Sequence, residues 1–114
     1  MKKNNFNIFS LKGKKILIIG GSGKLGLRFA KTLKNAGGQI ILADVNKPKN
    51  NQYAFYYCDV SNQSNVADFA SKLFKKEKKI DVLIYNVYSK PKNYYKPYED
   101  YEYETWNNSV NSNL

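Results

Sequence analysis

An α/β fold built around a parallel sheet is what this sequence predicts, on three observations. The runs KILIIG (Lys15–Gly20) and QIILAD (Gln39–Asp44) are short, apolar and rich in branched residues, the pattern of strands buried on both faces. Between them Leu25, Phe29, Leu33 and Ala36 recur at helical spacing, with Lys31 and Lys34 interleaved, so strand and helix alternate. A glycine-rich stretch, IGGSGKLG from Ile19 to Gly26, joins that first strand to that first helix.

The remaining elements follow in order. Gly37–Gly38 ends the first helix. KPKNN after the second strand is a polar turn, and YAFYYCDV reads as a third strand running into Asp59. Ser61 or Asn62 can cap the next helix, in which Val66, Phe69, Ala70, Leu73 and Phe74 form a core-facing stripe. KKEKK is the solvated end of that helix, where lysines suit the dipole. DVLIYN is a fourth strand. The aromatic, proline-punctuated segment after it reads as loop, and a last helix places Trp106, Val110 and Leu114 on one face. Right-handed crossovers would set the four strands in the order 3-2-1-4, the first part of a Rossmann-type doubly wound sheet.

Length and composition bound the possibilities. The chain has 114 residues, a single domain over 1–114, with a thin stability margin expected at this size. It is 42% hydrophobic and 25% charged, which argues against disorder throughout. The formal charge is +10 and the pI about 9.6. The lysines are scattered along the sequence among Asn, Ile, Tyr and Phe, a mixture that a base-composition bias in the gene would produce, so this reading disfavours nucleic acid as a partner. One cysteine, Cys58, and no histidine exclude an internal disulfide and a Cys/His zinc site, and no metal is expected. No signal peptide or membrane-length apolar run occurs, so a cytoplasmic location without a membrane partner is expected.

The glycine loop carries the functional signal. A triphosphate-binding loop needs G-x-x-x-x-G-K followed by Ser or Thr. With Gly23-Lys24 in register, Ile18 stands where the first glycine belongs and Leu25 where the hydroxyl belongs, so that reading fails. Gly21-Ser22-Gly23-Lys24-Leu25-Gly26 instead fits G-x-G-x-x-G, directly after a strand and opening a helix. Glycines there allow a tight turn and a close approach to a pyrophosphate, which the helix N-terminus attracts. Asp44 ends the second strand, where a carboxylate accepts hydrogen bonds from the adenosine ribose and repels a 2′-phosphate. This favours NAD over NADP. The blander alternative is a glycine turn with an ordinary strand-end aspartate.

GKKILIIGGSGKLG, ILADV, CDVS, DVLIYNV and WNNSVNSNL, in that order, resemble the N-terminal half of a short-chain dehydrogenase/reductase, from about Leu11 to Leu114. The resemblance implies NAD(P)-dependent oxidoreductase chemistry. It makes Gly20, Gly23 and Gly26 the phosphate-loop glycines, with Ser22, Lys24 and Leu25 among them, and sets Asp44 on the ribose. It sets Asp59 and Val60 against the adenine ring and Asn86 in the turn after the fourth strand. Asn113 it matches to an asparagine of the catalytic proton relay. For Asp59 the alternative is a helix-start carboxylate in an Asx-type turn.

Departures accompany the match. Ile19 replaces the usual Thr, and Lys24 a common glycine, although the spacing of three between glycines is kept. The family's Asn-Asn-Ala-Gly turn is Tyr85-Asn86-Val87-Tyr88, a variant similar to bacterial members associated with surface-sugar biosynthesis, so a sugar derivative is one expected substrate. The family's catalytic Ser and Tyr-x-x-x-Lys belong to a segment after Asn113, so the fold is expected to be truncated before its catalytic segment. The one such spacing present, Tyr88 to Lys92, contains Pro91 and is read as a coincidence. A non-catalytic dinucleotide-binding module or truncated remnant is the alternative function, and a basic nucleic-acid-binding protein a less favoured one. An open fourth-strand edge predicts self-association, and a small-molecule substrate is expected only for a longer form.

Overall fold

In the computed structural model, which describes residues 8–88 and 95–113, four parallel strands form one sheet in the order β3-β2-β1-β4. They are β1 (Lys15–Ile19), β2 (Gln39–Asp44), β3 (Ala54–Tyr57) and β4 (Val82–Tyr85). Register follows the pleat: Leu17 lies beside Ile41 and Leu83, and Ile18 beside Leu42 and Ile84. Successive β1 side chains therefore enter opposite layers. Ile16 and Ile18, with Ile40 and Leu42, face helix α1 (Lys24–Asn35). Leu17, Ile41, Ala43 and Cys58 face helix α2 (Gln63–Glu77). The strand order and the parallel sheet are as the sequence predicts.

The helices form as read, and part of each expected stripe meets the sheet. In α1, Phe29 and Leu33 pack on the core with Leu27 beside the fully buried Ala30, while Leu25 is 54% exposed. Gly26 sits so tightly on the loop that an added Cβ would lie 2.7 Å from the Gly20 carbonyl oxygen, and this contact sets the first turn of α1, where Leu25 stands. Asn62 is the residue that caps α2, accepting the Asn65 N–H at 3.0 Å. In α2 only Phe69 and Leu73 of the expected apolar stripe are buried, and Phe74 is half exposed.

The lysine-rich end of α2 is not wholly solvated. Glu77 is buried, and Lys15 Nζ donates to its carbonyl at 2.6 Å and approaches its carboxylate at 3.8 Å. Gly37, at φ +102, ends α1, and the Gly38 N–H returns to the Leu33 carbonyl. Among its described residues, the segment read as loop contains a short 3-10 turn, Tyr98–Asp100, before helix α3 (Tyr103–Asn113). Trp106 is 62% exposed rather than core, and its expected partner Leu114 lies outside the described residues. No described helix is long and apolar enough to cross a membrane.

Candidate dinucleotide site

The site begins where β1 gives way to α1. Gly20 takes φ +78, and a Cβ there would lie 2.6 Å from the Asn86 carbonyl oxygen. Only glycine permits both the left-handed backbone and that approach. The Gly20 N–H donates to the Ala43 carbonyl and the Asn86 N–H to the Ile19 carbonyl, both at 2.8 Å. The loop is thus fastened to the ends of its two neighbouring strands.

The glycines divide into two kinds. Gly20 and Gly26 have backbone atoms against them, as described, and Gly21 abuts Leu42. Gly23 has nothing within 4 Å of where its Cβ would stand, and its φ of −77 suits any residue. Packing does not account for Gly23, and the space beside it is open. Gly23 is also the N-cap of α1, where no side chain caps the helix and no acidic residue occupies the first turn. Lys24 stands there instead, adding a cation to the positive end of the dipole. Uncapped N–H groups, a dipole and a lysine at one point form a place for an anion.

Asp44 is built into the same loop. Its Oδ2 accepts the Ser22 N–H at 3.0 Å and its Oδ1 the Val45 N–H at 2.7 Å, while the Ser22 hydroxyl donates to the Asn46 carbonyl. Each carboxylate oxygen keeps a further lone pair for a ribose hydroxyl. Sequence reading names Asp44 as the ribose acceptor but misses this brace, which pairs residues across the tip of β2.

Asp59 lies across the cleft from the loop. Its Oδ1 accepts the Ser61 hydroxyl at 2.6 Å and the Ser61 N–H at 3.0 Å. Those two bonds, the hydroxyl's first, hold the carboxyl below the usual carboxylate range. The Asx-type turn offered by the sequence therefore exists, and it aims Asp59 at the same space as Asp44. Ile19, Gly20, Asp44, Asp59, Val60 and Val87 line a cleft of about 720 Å³. Beside it, Gly23, Lys24, Leu25, Asn86 and Tyr88 line a second recess of about 470 Å³. Asn86 also donates from its side chain to the Gly20 carbonyl at 3.4 Å.

Apart from Gly21 and Gly26, which pack behind the loop, and Ser22, which braces it, the predicted cofactor-binding residues face this space. Cys58, Tyr85, Tyr88 and Asn111 line it as well, without having been singled out as site residues. Tyr85, Val87 and Tyr88 flank Asn86 in sequence, which was the available signal. Cys58 is buried, and burial followed by the nearby Asp59 and Asp44 pushes its thiol up. Asn113 closes α3, but its side chain lies outside the description, as do Lys90 and Lys92 of the Tyr-x-x-x-Lys spacing. Among the described residues no cluster of His, Cys, Asp or Glu could hold a metal.

The chain matches the family model "short chain dehydrogenase" over residues 14–114. It is 31% identical over 85 residues to a short-chain dehydrogenase reductase 3c of Arabidopsis thaliana, covering 67% of this chain and 33% of that protein. Its fold is similar to a short chain dehydrogenase of Leptospira borgpetersenii solved with bound NAD+, at a TM-score of 0.80 and 23% identity, covering 100% of this chain and 46% of that one. It is also similar to an aldohexose dehydrogenase of Thermoplasma acidophilum, at a TM-score of 0.78 and 25% identity, covering 91% of this chain and 40% of that one. The chain therefore spans a third to a half of the length of these relatives.

Proposed function

Because this chain belongs to the short-chain dehydrogenase family, we propose that its cleft binds NAD in preference to NADP. On this reading the chain is the cofactor-binding portion of a cytoplasmic oxidoreductase acting on a carbonyl or alcohol substrate. When bound, the nicotinamide supplies or accepts hydride. The chain's own residues bind and orient. The uncapped start of α1, with Lys24, receives the pyrophosphate in the space left open at Gly23. Asp44 accepts the ribose hydroxyls and, as a carboxylate, repels a 2′-phosphate. Asp59 and Val60 border the adenine, and Asn86 and Val87 the opposite end of the cleft. Asn113 takes the place that the family gives to a proton-relay asparagine, and a Ser and a Tyr-x-x-x-Lys are needed beyond it for turnover.

The observation that carries the reading is the contrast among the glycines: Gly20, Gly21 and Gly26 are packed and Gly23 faces open space at a helix start. A sugar derivative is the substrate class put first, from the Tyr85–Tyr88 turn and the likeness to an aldohexose dehydrogenase. Titration of the chain with NADH and NADPH, followed by nicotinamide fluorescence, tests the cofactor. Tighter binding of NADH is expected. Equal or tighter binding of NADPH overturns the preference, and binding of neither overturns the site.

A further inference from the structure

The lysines that are scattered in sequence are not scattered in space. The N-terminal edge of the sheet lies opposite the cleft, and the chain passes it three times. The turn before β1 carries Lys12 and Lys14; the Leu11 N–H bonds the Ala36 carbonyl at the end of α1, and the Lys14 carbonyl accepts the Gln39 N–H at the start of β2. The last turn of α2 carries Lys75 and Lys76, and the link into β4 carries Lys78 and Lys79. The Asp81 N–H bonds the Lys15 carbonyl at 2.9 Å, drawing that link against the first turn. All six lysines are exposed.

The carboxylates at this edge are already engaged. Glu77 is buried against Lys15, and Asp81 accepts the Lys15 N–H at 2.8 Å and pairs with Lys79 at 3.2 Å. Among the described residues, Lys12, Lys75, Lys76 and Lys78 have no carboxylate partner, and Lys14 shares Asp81 electrostatically with Lys79. Helix-dipole compensation accounts for Lys75, Lys76 and the C-cap Lys78, but not for Lys12 and Lys14 before β1. The charge extends along the β1–β4 half of the sheet edge, from Lys12 beside the end of α1 to Lys79 beyond α2, which suits an extended anion rather than one phosphate group.

We propose that this basic edge binds single-stranded nucleic acid through its phosphate backbone. Phe74, half exposed next to Lys75 and Lys76, offers a ring on which an unpaired base can stack. A membrane surface fits less well. A helix that binds one lies flat with its apolar face in the lipid, whereas the apolar face of α2, Phe69 and Leu73, is buried on the sheet. The edge is remote from the cleft, so both ligands bind at once.

The test is fluorescence anisotropy of a labelled, unstructured single-stranded oligonucleotide with the 114-residue chain across a salt series. Neutralising about three to four phosphates gives a log–log salt slope of about −2 to −3. Lys12→Glu/Lys14→Glu and, separately, Lys75→Glu/Lys76→Glu are each expected to weaken binding at least about tenfold, with folding checked by circular dichroism. Lys31→Glu/Lys49→Glu removes the same charge elsewhere and is expected to leave affinity within about twofold, and saturating NADH is expected to leave it unchanged. Equal weakening in that control pair overturns the proposal in favour of net charge alone, and displacement by NADH in favour of the cleft. Tighter binding at equal salt to phosphatidylserine vesicles or to polyglutamate overturns it in favour of a lipid or protein partner.

Discussion

Replacing Gly23 with aspartate separates the two kinds of glycine in the loop. The backbone at 23 is extended, φ −77 and ψ 173, and a side chain there meets nothing. Asp is among the best N-cap residues and also suits the positive end of the helix, so Gly23→Asp is expected to hold fold stability or raise it by about 0.5 kcal/mol. Binding suffers on two counts. The new carboxylate takes the first-turn N–H groups, and it repels each phosphate charge within about 4 Å by about 1 kcal/mol in bulk water and about 4 kcal/mol at an effective dielectric near 20. NADH affinity is therefore expected to fall tenfold or more while the urea midpoint stays put. Gly26→Ala is the contrasting variant: its Cβ would lie 2.7 Å from backbone atoms of both Gly20 and Gly21, so stability and binding should fall together. Unchanged NADH affinity in folded Gly23→Asp refutes the placement of the pyrophosphate at α1.

Asp44 braces Ser22 and, on the proposed reading, also receives the ribose; Asp44→Asn retains an acceptor for the Ser22 N–H that Asp44→Ala loses, so the alanine variant should weaken NADH binding more, and the asparagine variant should narrow the gap between NADH and NADPH in the same titration. Leu73 is 1% exposed between α2 and the sheet, so Leu73→Ala should cost about 2 to 5 kcal/mol in urea unfolding. The raised Cys58 thiol favours its neutral form in the folded state, a contribution present below about pH 8.5 and lost as pH rises, so the urea midpoint should fall from pH 7.5 to 9.5 and Cys58→Ala should flatten part of that fall. Asp81, lowered first by the Lys15 N–H, contributes above the usual carboxylate range and loses that contribution as pH falls through it; Asp81→Asn should make the stability profile below about pH 5 shallower.

The strand order was legible because continuous apolar runs, a glycine loop and helical spacing each admit few topologies. The exposure of Leu25 was not, since periodicity counts apolar side chains and the residue that sets the first turn of α1 against the loop, Gly26, has none. Glu77 was hidden for the opposite reason. A glutamate among lysines reads as solvent-facing, and the arrival of Lys15 from β1 helps make its burial tolerable. In the cleft, the carboxylates could be named from their places at strand ends. The bond from Ser22 to Asp44 could not, because it spans 22 positions and depends on how loop and strand end meet.

That bond also bears on why the loop tolerates its unusual spelling. Ile19 brings no hydroxyl to pin the turn, and Lys24 replaces a small residue at the helix start. The fastening is supplied elsewhere: Ser22 is tied to Asp44 at the end of β2 and to Asn46 just beyond it, Gly20 to Ala43, and Asn86 to both Ile19 and Gly20. A loop held from both neighbouring strands keeps its shape before any ligand arrives, so ordering it costs little on binding. Lys24 then works in favour of the site. A cation next to an uncapped helix start is unfavourable until an anion joins them, and the cleft between Asp44 and Asn86 opens where that anion would stand.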